Sequence, residues 1–207
     1  MDRAEAEARV REVQRIMERT TLYTLLPGWP AVIGGALVLA GCVVTWLITE
    51  SLDFGAVSGL GQTGRVTLWA MWALIGIAGF AIEILWTRAA SRRLGVSPMT
   101  RPARFAALSL SPSILVALVI TVRVFMTGDT AWLAPAWAMC YGTGLYAAGL
   151  FSVRLPRLLG IAFIVLGAAG LIFFPGYGVA LVALSFGLLH LAFGFAVISR
   201  SGKAEAA

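Results

Sequence analysis

Six long apolar segments dominate this sequence, and they determine what the chain can fold into. Each has the roughly 20 residues that an α-helix needs to cross a lipid bilayer, and short connections separate them. Charged residues make up only 13% of the chain, well below their usual share in soluble domains. The sequence therefore predicts an all-α, polytopic membrane protein with a six-transmembrane-helix bundle. The predicted spans are 30–49, 66–87, 105–126, 131–151, 157–175 and 178–199.

Arginine and lysine are sorted to one side of this predicted bundle. The first, third and fifth connections together contain a single basic residue, Arg65. The other connections and both ends of the chain each contain two or more. Because positive charge favours the cytoplasmic side of a membrane, we expect both termini to be cytoplasmic in a bacterial inner membrane. The net charge of +6 then needs no nucleic-acid partner. The basic residues on the cytoplasmic side are Arg3, Arg9, Arg11, Arg15, Arg19, Arg88, Arg92, Arg93, Arg101, Arg104, Arg154, Arg157, Arg200 and Lys203.

Three regions follow from this pattern. Residues 28–200 are the predicted six-helix transmembrane domain, and residues 201–207 are a predicted cytoplasmic tail. Residues 1–27 are predicted to form a cytoplasmic amphipathic helix, because apolar residues recur on one helical face. That helix either rests on the lipid headgroups or docks a partner or a second copy of the chain. The residues of its apolar face are Ala6, Val10, Val13 and Met17.

Glycines recur at seven-residue intervals within four of the predicted spans. Seven residues make about two helical turns, so the paired glycines lie on one face of their helix. Lipid provides no hydrophobic drive for helices to associate, and close packing at small residues has to replace it. The repeated spacing also indicates duplicated helical hairpins, with seams that hold either one bundle or a homo-oligomer together. The predicted helix-packing residues are Gly34, Gly41, Gly142, Gly160, Gly167, Gly187 and Gly194.

A few polar residues fall at membrane depth, where ionisable groups are costly and so are candidates for function. Glu83 and His190, the one histidine in the sequence, are both predicted in the cytoplasmic half. Pro112 cannot donate a backbone hydrogen bond, so we expect the Leu108 carbonyl to lack its helical donor, and a kink there would present polar groups to the bundle interior. If spans two, three and six are neighbours, these elements form one polar intramembrane cluster. Its predicted members are Glu83, Ser109, Pro112, Ser113 and His190.

Two interpretations of His190 are open at this stage. A neutral imidazole can hydrogen-bond a hydroxyl or carbonyl across a helix seam and fix the packing. Alternatively, a titrating pair of His190 and Glu83 relays protons, since histidine changes charge near neutral pH. On the outer face, we expect Arg123 to reach the interface or to pair with an acidic residue such as Asp129.

The sequence contains no recognisable catalytic or metal-binding motif. One histidine, together with two cysteines inside apolar runs, predicts no metal site and no cofactor. "GLGQTG" (59–64) follows a predicted membrane helix rather than a strand, so we do not expect it to bind a nucleotide. Short connections leave no room for a globular catalytic domain, and we therefore expect a protein that is not an enzyme.

"LGIAFIVLGAAGLIFFPGYGVALVALSFGLLHLAFGFAVI" (159–198) resembles the repeated hairpin of HdeD-like membrane proteins: a glycine-spaced span, an outer proline–glycine turn and a second span. The resemblance implies six spans and an association with acid stress. It covers this hairpin only, and the polar third span and long first connection differ from the family. "MERTTLYTLLPGWPAVIGGALVLAGC" (17–42) and "GLFSVRLPRLLG" (149–160) are similar to uncharacterised six-span proteins of soil bacteria.

Two functions fit these observations. The first is a non-enzymatic scaffold, stress-response or accessory subunit, whose partners are the lipid bilayer and a second copy or another membrane protein. The second is a small proton-linked transporter or channel that uses Glu83 and His190. A water-accessible polar cavity favours the transporter, and a dry bundle with a large apolar outer seam favours the subunit. Transporters tend to have interrupted helices in paired positions, and only span three is interrupted, so the sequence favours the subunit.

Overall fold

The computed structural model describes residues 28–93, 95, 97, 101–150 and 154–205, and every regular element in that part of the chain is helical. The predicted all-α class is confirmed for these residues. The predicted N-terminal helix over 1–27 lies outside them. The main helices are α1 (Gly28–Thr49), α2 (Gln62–Arg93), α3 (Arg101–Thr127), α4 (Leu133–Leu150), α5 (Arg154–Phe173) and α6. Helix α6 joins α-helical Gly178–Val182 and His190–Glu205 through a π-helical segment, Ala183–Leu189.

Five of these helices are long and apolar enough to cross a membrane: α1, α2, α3, α5 and α6. Helix α4, which corresponds to the fourth predicted span, is not among them. It has 18 residues, and its two tyrosines, its tryptophan and its glycines make it less apolar than the others. Nine of the 18 residues are buried, so protein rather than lipid surrounds much of this helix. A helix in such a position needs less apolar surface than one that faces lipid.

The tightest packing in the molecule joins α4 to α5. A Cβ atom on Gly160 would come within 2.5 Å of the Tyr146 backbone nitrogen, and one on Gly142 would come within 2.8 Å of the Gly160 carbonyl oxygen. Gly149 meets the Arg157 backbone equally closely, and Gly167 meets Met139. The predicted helix-packing residues Gly142, Gly160 and Gly167 therefore lie in this seam, where only glycine allows the two backbones to approach this far.

A second seam of the same kind joins α1 to α6. Gly194 faces the Gly28 carbonyl oxygen, which would lie 2.6 Å from an added Cβ atom, and Gly187 packs against Leu39. Gly35 faces the Gly187 carbonyl oxygen at 2.8 Å. The pair α1–α6 therefore packs in the same way as the pair α5–α4. Helices α4 and α6 share the seven-residue spacing of glycines that predicts this likeness.

The prediction that Gly34 packs in this seam is wrong. A Cβ atom added to Gly34 would meet nothing within 4 Å, and the adjacent Gly35 faces α6 instead. Consecutive residues point about 100° apart around a helix, so α1 is rotated by one residue from the predicted alignment. Gly41 does pack, but against Ile75 and Trp72 of α2 rather than in the seam with α6.

Helices α2 and α3 flank the paired seams. Helix α2 packs on α1, where Trp72 Nε1 donates a hydrogen bond to Thr45 Oγ1 at 3.1 Å. Helix α3 packs on α4, where Trp137 Nε1 donates to Thr121 Oγ1 at 2.8 Å. In their predicted membrane windows, only 6% of α2 and 11% of α3 is buried. We refer to α2 and α3 as the outer arms.

The connection between α1 and α2 folds back into one end of the bundle. Phe54 is 3% exposed and packs edge-on to Trp72, with ring centroids 5.5 Å apart. The Val179 N–H donates to the Leu52 carbonyl at 2.8 Å, which ties this connection to the start of α6. Asp53 caps the short helix Phe54–Gly59 by accepting the Gly55 N–H at 2.9 Å. We call this end the Phe54 end, and the opposite end the basic end.

Candidate functional site

His190 lies directly after the π-helical segment of α6 and contacts α4. Its Nε2 atom is 3.1 Å from the Tyr141 hydroxyl, a hydrogen bond between residues 49 positions apart in the chain. A π-helical turn inserts an extra residue into a helix, and such turns are frequent at functional sites. Here the turn ends where the imidazole meets α4. A hydroxyl partner across a helix seam is the arrangement expected from the packing interpretation of His190.

Aromatic rings surround this hydrogen bond. The imidazole stacks on Phe186, with an interplanar angle of 11°, and meets Phe163 edge-on with centroids 5.4 Å apart. Tyr141 contacts the same two phenyl rings, at 5.1 Å from Phe163 and 5.2 Å from Phe186. Phe163 itself is fully buried. These three rings therefore fix the position of the imidazole in a closely packed, largely apolar environment.

The second imidazole nitrogen, Nδ1, is buried and has no hydrogen-bond partner in the part of the chain that the structure describes. The backbone carbonyls of Ser185 and Phe186, in the preceding turn, interact with the ring. A protonated Nδ1 suits these carbonyls, because their oxygens are acceptors.

Glu83 is the acidic side chain nearest this cluster. It is half-buried on α2 and interacts electrostatically with Tyr141. Among the described residues, it makes no ion pair and no hydrogen bond. Leu68, Trp72 and Gly79 precede it at helical spacings, so all four lie on the stripe of α2 that faces the bundle. No hydrogen bond joins Glu83 to Tyr141 or to His190 among the described residues, so the predicted pairing of Glu83 with His190 stays a prediction.

The predicted cluster members on α3 are placed differently. Ser113 packs at Gly144 of α4, where an added Cβ atom would be 3.1 Å from the serine hydroxyl. Pro112 is exposed, and α3 continues through it without a break. The Leu108 carbonyl, which cannot receive a backbone N–H from Pro112, accepts a hydrogen bond from the Ser111 hydroxyl at 3.4 Å instead. No hydrogen bond joins Ser109 or Ser113 to His190 within the described part of the chain.

The predicted charge pair on the outer face is not formed among the described residues. Arg123 is exposed on α3 and makes no ion pair with Asp129. Asp129 precedes the short helix Thr130–Trp132 and does not cap it with its side chain. Asp53, another acidic residue of this face, uses its carboxylate to cap Gly55. That Arg123 reaches the lipid interface remains a prediction.

Tyr141 is the member of the site that sequence reasoning missed. A signal for it was present: Tyr141 precedes Gly142 as Phe186 precedes Gly187, so one copy of the repeated motif has a hydroxyl that the other lacks. A buried tyrosine hydroxyl usually has a hydrogen-bond partner. The imidazole of His190 is a suitable partner for such a hydroxyl at membrane depth. In the described ranges, no group of three His, Cys, Asp or Glu side chains is placed to hold a metal ion.

No known protein family, curated protein or solved structure matches this chain. Function therefore has to be argued from the site and its surroundings. The arrangement offers a carboxylate, a phenol and an imidazole on three different helices. Such groups can fix helices relative to one another, or they can hold and pass a proton.

Proposed function

We propose that the chain is a six-span protein of the bacterial cytoplasmic membrane, with α4 as the sixth span and both termini in the cytoplasm. The short turn between α5 and α6 makes these helices antiparallel, so the start of α5 and the end of α6 lie at one end of the bundle. The start of α1 lies at the same end, since Gly28 faces Gly194 of α6, and both observations support this topology. The basic residues Arg93, Arg154 and Arg200 belong to this basic end. A tag at Met1 that is labelled only after the membrane is permeabilised would agree with this topology, whereas labelling from outside intact cells would contradict it.

We propose further that the protein is a non-enzymatic scaffold or accessory subunit that receives a transmembrane helix of a partner against its outer arms. The observation that carries this proposal is the open space along the inner stripe of α2. At Gly76 and Gly79, an added Cβ atom would meet none of the described residues within 4 Å. In the two seams, by contrast, Gly142 lies against the backbone of α5 and Gly187 lies against the Leu39 side chain of α1.

The opening arises because α2 is packed along only part of its length. Near the Phe54 end, Leu68 is 2% exposed, and Trp69 meets Phe125 of α3 with ring centroids 5.1 Å apart. Ser91, near the basic end, is also fully buried, but between these two points Gly79 meets no described residue within 4 Å of an added Cβ atom. A helix with small residues on the approaching face would gain dispersion contacts along this stripe. The half-buried Glu83 would offer that helix a polar partner.

Site-specific photo-cross-linking in native membranes tests this proposal. A diazirine-bearing residue at position 79 is expected to form adducts with polypeptide. The same residue in place of Leu74, which is 65% exposed on the lipid side of α2, serves as the matched control and is expected to label lipid. Mass spectrometry of the adduct distinguishes a second copy of this chain from another membrane protein, and either result supports a helix-receiving role. Lipid adducts alone at position 79 would refute it.

A second candidate function is a small proton-linked transporter or channel. The observation that favours it is the set of polar groups Glu83, Tyr141 and His190 on three helices, in which the hydroxyl and the imidazole are 3.1 Å apart. Ionisable groups inside a membrane commonly line proton relays. The close aromatic packing around His190 favours the first function, since it leaves the imidazole little access to water.

Flux measurements separate the two functions. The double variant Glu83→Gln, His190→Gln removes both titrating groups at nearly constant size. In proteoliposomes, a transporter is expected to lose pH-driven proton or solute flux in this variant, whereas a subunit without transport activity shows no flux above empty liposomes even in the unmodified protein. Neither the cross-linking experiment nor the flux measurement tests the role in acid stress that the HdeD-like resemblance implies. That role stays a separate proposal.

A further inference from the structure

A groove of about 550 Å³ lies between α1 and α2. Seven of its eight lining residues belong to α2, from Val66 to Ala78, and Leu37 of α1 completes the lining. Its walls are hydrocarbon side chains, apart from the hydroxyl of Thr67 and the thioether of Met71. Volumes of this size are typical of sites that bind small organic molecules. The groove therefore suits an apolar ligand, or the apolar part of one.

This groove opens on the side of α2 that we expect to face lipid. Leu74, which lines the groove, is 65% exposed. Gly79 is five residues further along α2, which places it about 140° around the helix axis from Leu74. The groove is therefore separate from the stripe of α2 that is proposed to receive a partner helix. A ligand in the groove and a helix on that stripe do not depend on each other.

The length of the groove indicates which apolar ligand fits it. From Val66 to Ala78, α2 rises by about 18 Å. The hydrocarbon core of a bilayer is about 30 Å thick, so one leaflet accounts for about 15 Å of it. A transmembrane helix needs a surface that continues across both leaflets, whereas an acyl chain extends through one. The groove therefore matches an acyl chain that enters at the Phe54 end and stops near the middle of the membrane.

A positive charge lies at the entrance of the groove. Arg65 directly precedes the first lining residue and is the single basic residue of the first, third and fifth connections. Its side chain is exposed and makes no ion pair among the described residues. Asp53, in the same connection, uses its carboxylate to accept the Gly55 N–H instead. A long guanidinium side chain at this level can reach a lipid phosphate and bind it with charge-assisted hydrogen bonds.

Thr67 adds a second polar group near the same entrance. Three buried or exposed threonines of other helices, Thr45, Thr121 and Thr143, each donate to the carbonyl four residues earlier. The exposed Thr67 hydroxyl makes no such bond within the described part of the chain, so it is available to an ester or phosphate oxygen. Polar groups at one end and hydrocarbon along the rest are the pattern of a phospholipid.

We propose that this groove binds one phospholipid of the leaflet at the Phe54 end, with one acyl chain between α1 and α2 and the phosphate at Arg65. A chain in the groove contacts two helices instead of the surface of one, so it gains dispersion contacts over the lipid around it. The guanidinium adds a preference for a headgroup that carries a phosphate. Under the proposed topology this leaflet is the outer one.

A photoreactive phosphatidylglycerol with a diazirine in the middle of one acyl chain tests the site in the full protein. The lipid is a small fraction of phosphatidylcholine nanodiscs, and its adducts are mapped by mass spectrometry. We expect adducts on the groove residues of α2 to exceed those at Val119, which is 62% exposed on α3. Ala70→Trp fills the groove and is expected to lose this excess. Ala73→Trp, at another exposed alanine of α2 outside the groove, is the matched control and should keep it.

A second arm of the experiment tests the headgroup. The same diazirine chain is placed on a diacylglycerol, which has no phosphate. Arg65→Gln is expected to lower the groove adducts of phosphatidylglycerol about fivefold and to leave those of diacylglycerol unchanged. An equal effect of Arg65→Gln on both lipids, or no effect on either, would show that Arg65 does not bind the phosphate and would overturn the inference.

Two results of the first arm would also overturn it. If groove adducts of phosphatidylglycerol do not exceed those at Val119, lipid does not prefer the groove. If the excess survives in Ala70→Trp, the acyl chain does not lie in it. The first result is obtained with the unmodified protein, so it is decisive even if Ala70→Trp fails to fold. Neither result bears on the cross-linking at position 79, which tests the other side of α2.

Discussion

The glycine seams and the outer arms contain the same kinds of residues but use them in opposite ways. Gly160 in the α4–α5 seam approaches a neighbouring backbone as closely as helices can, whereas Gly79 in α2 faces open space. Both are helical glycines in apolar surroundings. The difference teaches that glycine content alone does not locate an interface in a membrane protein. What matters is whether another helix lies against the glycine. At Gly79 in α2, no described residue lies within 4 Å of an added Cβ atom.

Substituting a phenylalanine in each region is expected to give the largest difference in the free energy of unfolding. Phe163→Ala removes a fully buried ring that contacts Tyr141, Phe186 and His190, and should lower the free energy of unfolding by about 4 kcal/mol. Phe80→Ala, at a side chain of α2 that is 62% exposed, should change it by less than about 0.5 kcal/mol. Reversible unfolding in mixed micelles measures both. Similar losses for the two variants would contradict the comparison.

The glycines themselves give the next largest effect. Gly160→Ala would place a Cβ atom 2.5 Å from the Tyr146 backbone nitrogen, which cannot move without displacing α4, so we expect a loss of about 2 kcal/mol. Gly79→Ala meets no atom and removes backbone freedom from the unfolded chain, so it should be neutral or should stabilise by up to about 1 kcal/mol. Thermal unfolding of both variants in the same detergent is the measurement. Equal destabilisation would mean that the space beside Gly79 is filled.

Gly34 and Gly35, which are adjacent in α1, test which face of α1 packs in the seam with α6. Gly35→Ala would bring a Cβ atom to 2.8 Å from the Gly187 carbonyl oxygen and is expected to cost about 1.5 kcal/mol. Gly34→Ala, one residue earlier, should not destabilise the protein, since nothing lies within 4 Å of its Cβ position. The two variants are compared by their melting temperatures. A larger loss for Gly34→Ala would restore the alignment that the sequence favoured.

The smallest effect concerns the attachment of the α2 arm to α1. Thr45→Val keeps the shape of the fully buried side chain but removes the acceptor for Trp72 Nε1, and should cost about 1 kcal/mol. Tryptophan fluorescence should report a changed environment at Trp72. Thr143→Val, at an exposed threonine of α4, is the control and should be silent. An unchanged stability in Thr45→Val would show that this hydrogen bond does not hold the arm.

Much of the architecture could be predicted from the sequence, because hydropathy and helix length act locally. The bounds of the predicted spans differ from those of the helices mainly at α2, α3 and α6, which extend beyond the apolar runs. The use of Gly142 and Gly187 at matching positions followed from their spacing. The rotation of each helix about its axis was harder to predict. Whether Gly34 or Gly35 packs in a seam depends on which helix lies beside α1, and the sequence does not give that.

The candidate site was less predictable, because lipid and protein interior are both apolar and hydropathy does not identify neighbouring helices. Glu83 and His190 were found by their cost at membrane depth, but the hydrogen bond between His190 and Tyr141 requires knowing that α4 lies beside α6. The grouping with Ser109 and Ser113 assumed that Pro112 would open α3 toward the bundle. Instead, the hydroxyl of Ser111 satisfies the Leu108 carbonyl, and α3 stays continuous.

Accessibility at Gly79 tests most directly whether another polypeptide completes the open stripe of α2. A nitroxide is attached at Gly79→Cys, with Cys42 and Cys140 replaced by alanine, and its collisions with lipid-soluble oxygen and with a water-soluble nickel complex are measured in native membranes. We predict low collision rates with both reagents at position 79 and a high rate with oxygen at the lipid-facing control Leu74→Cys. Oxygen accessibility at position 79 equal to that at position 74, or strong access of the nickel complex, would show that lipid or water fills the space and would contradict the account.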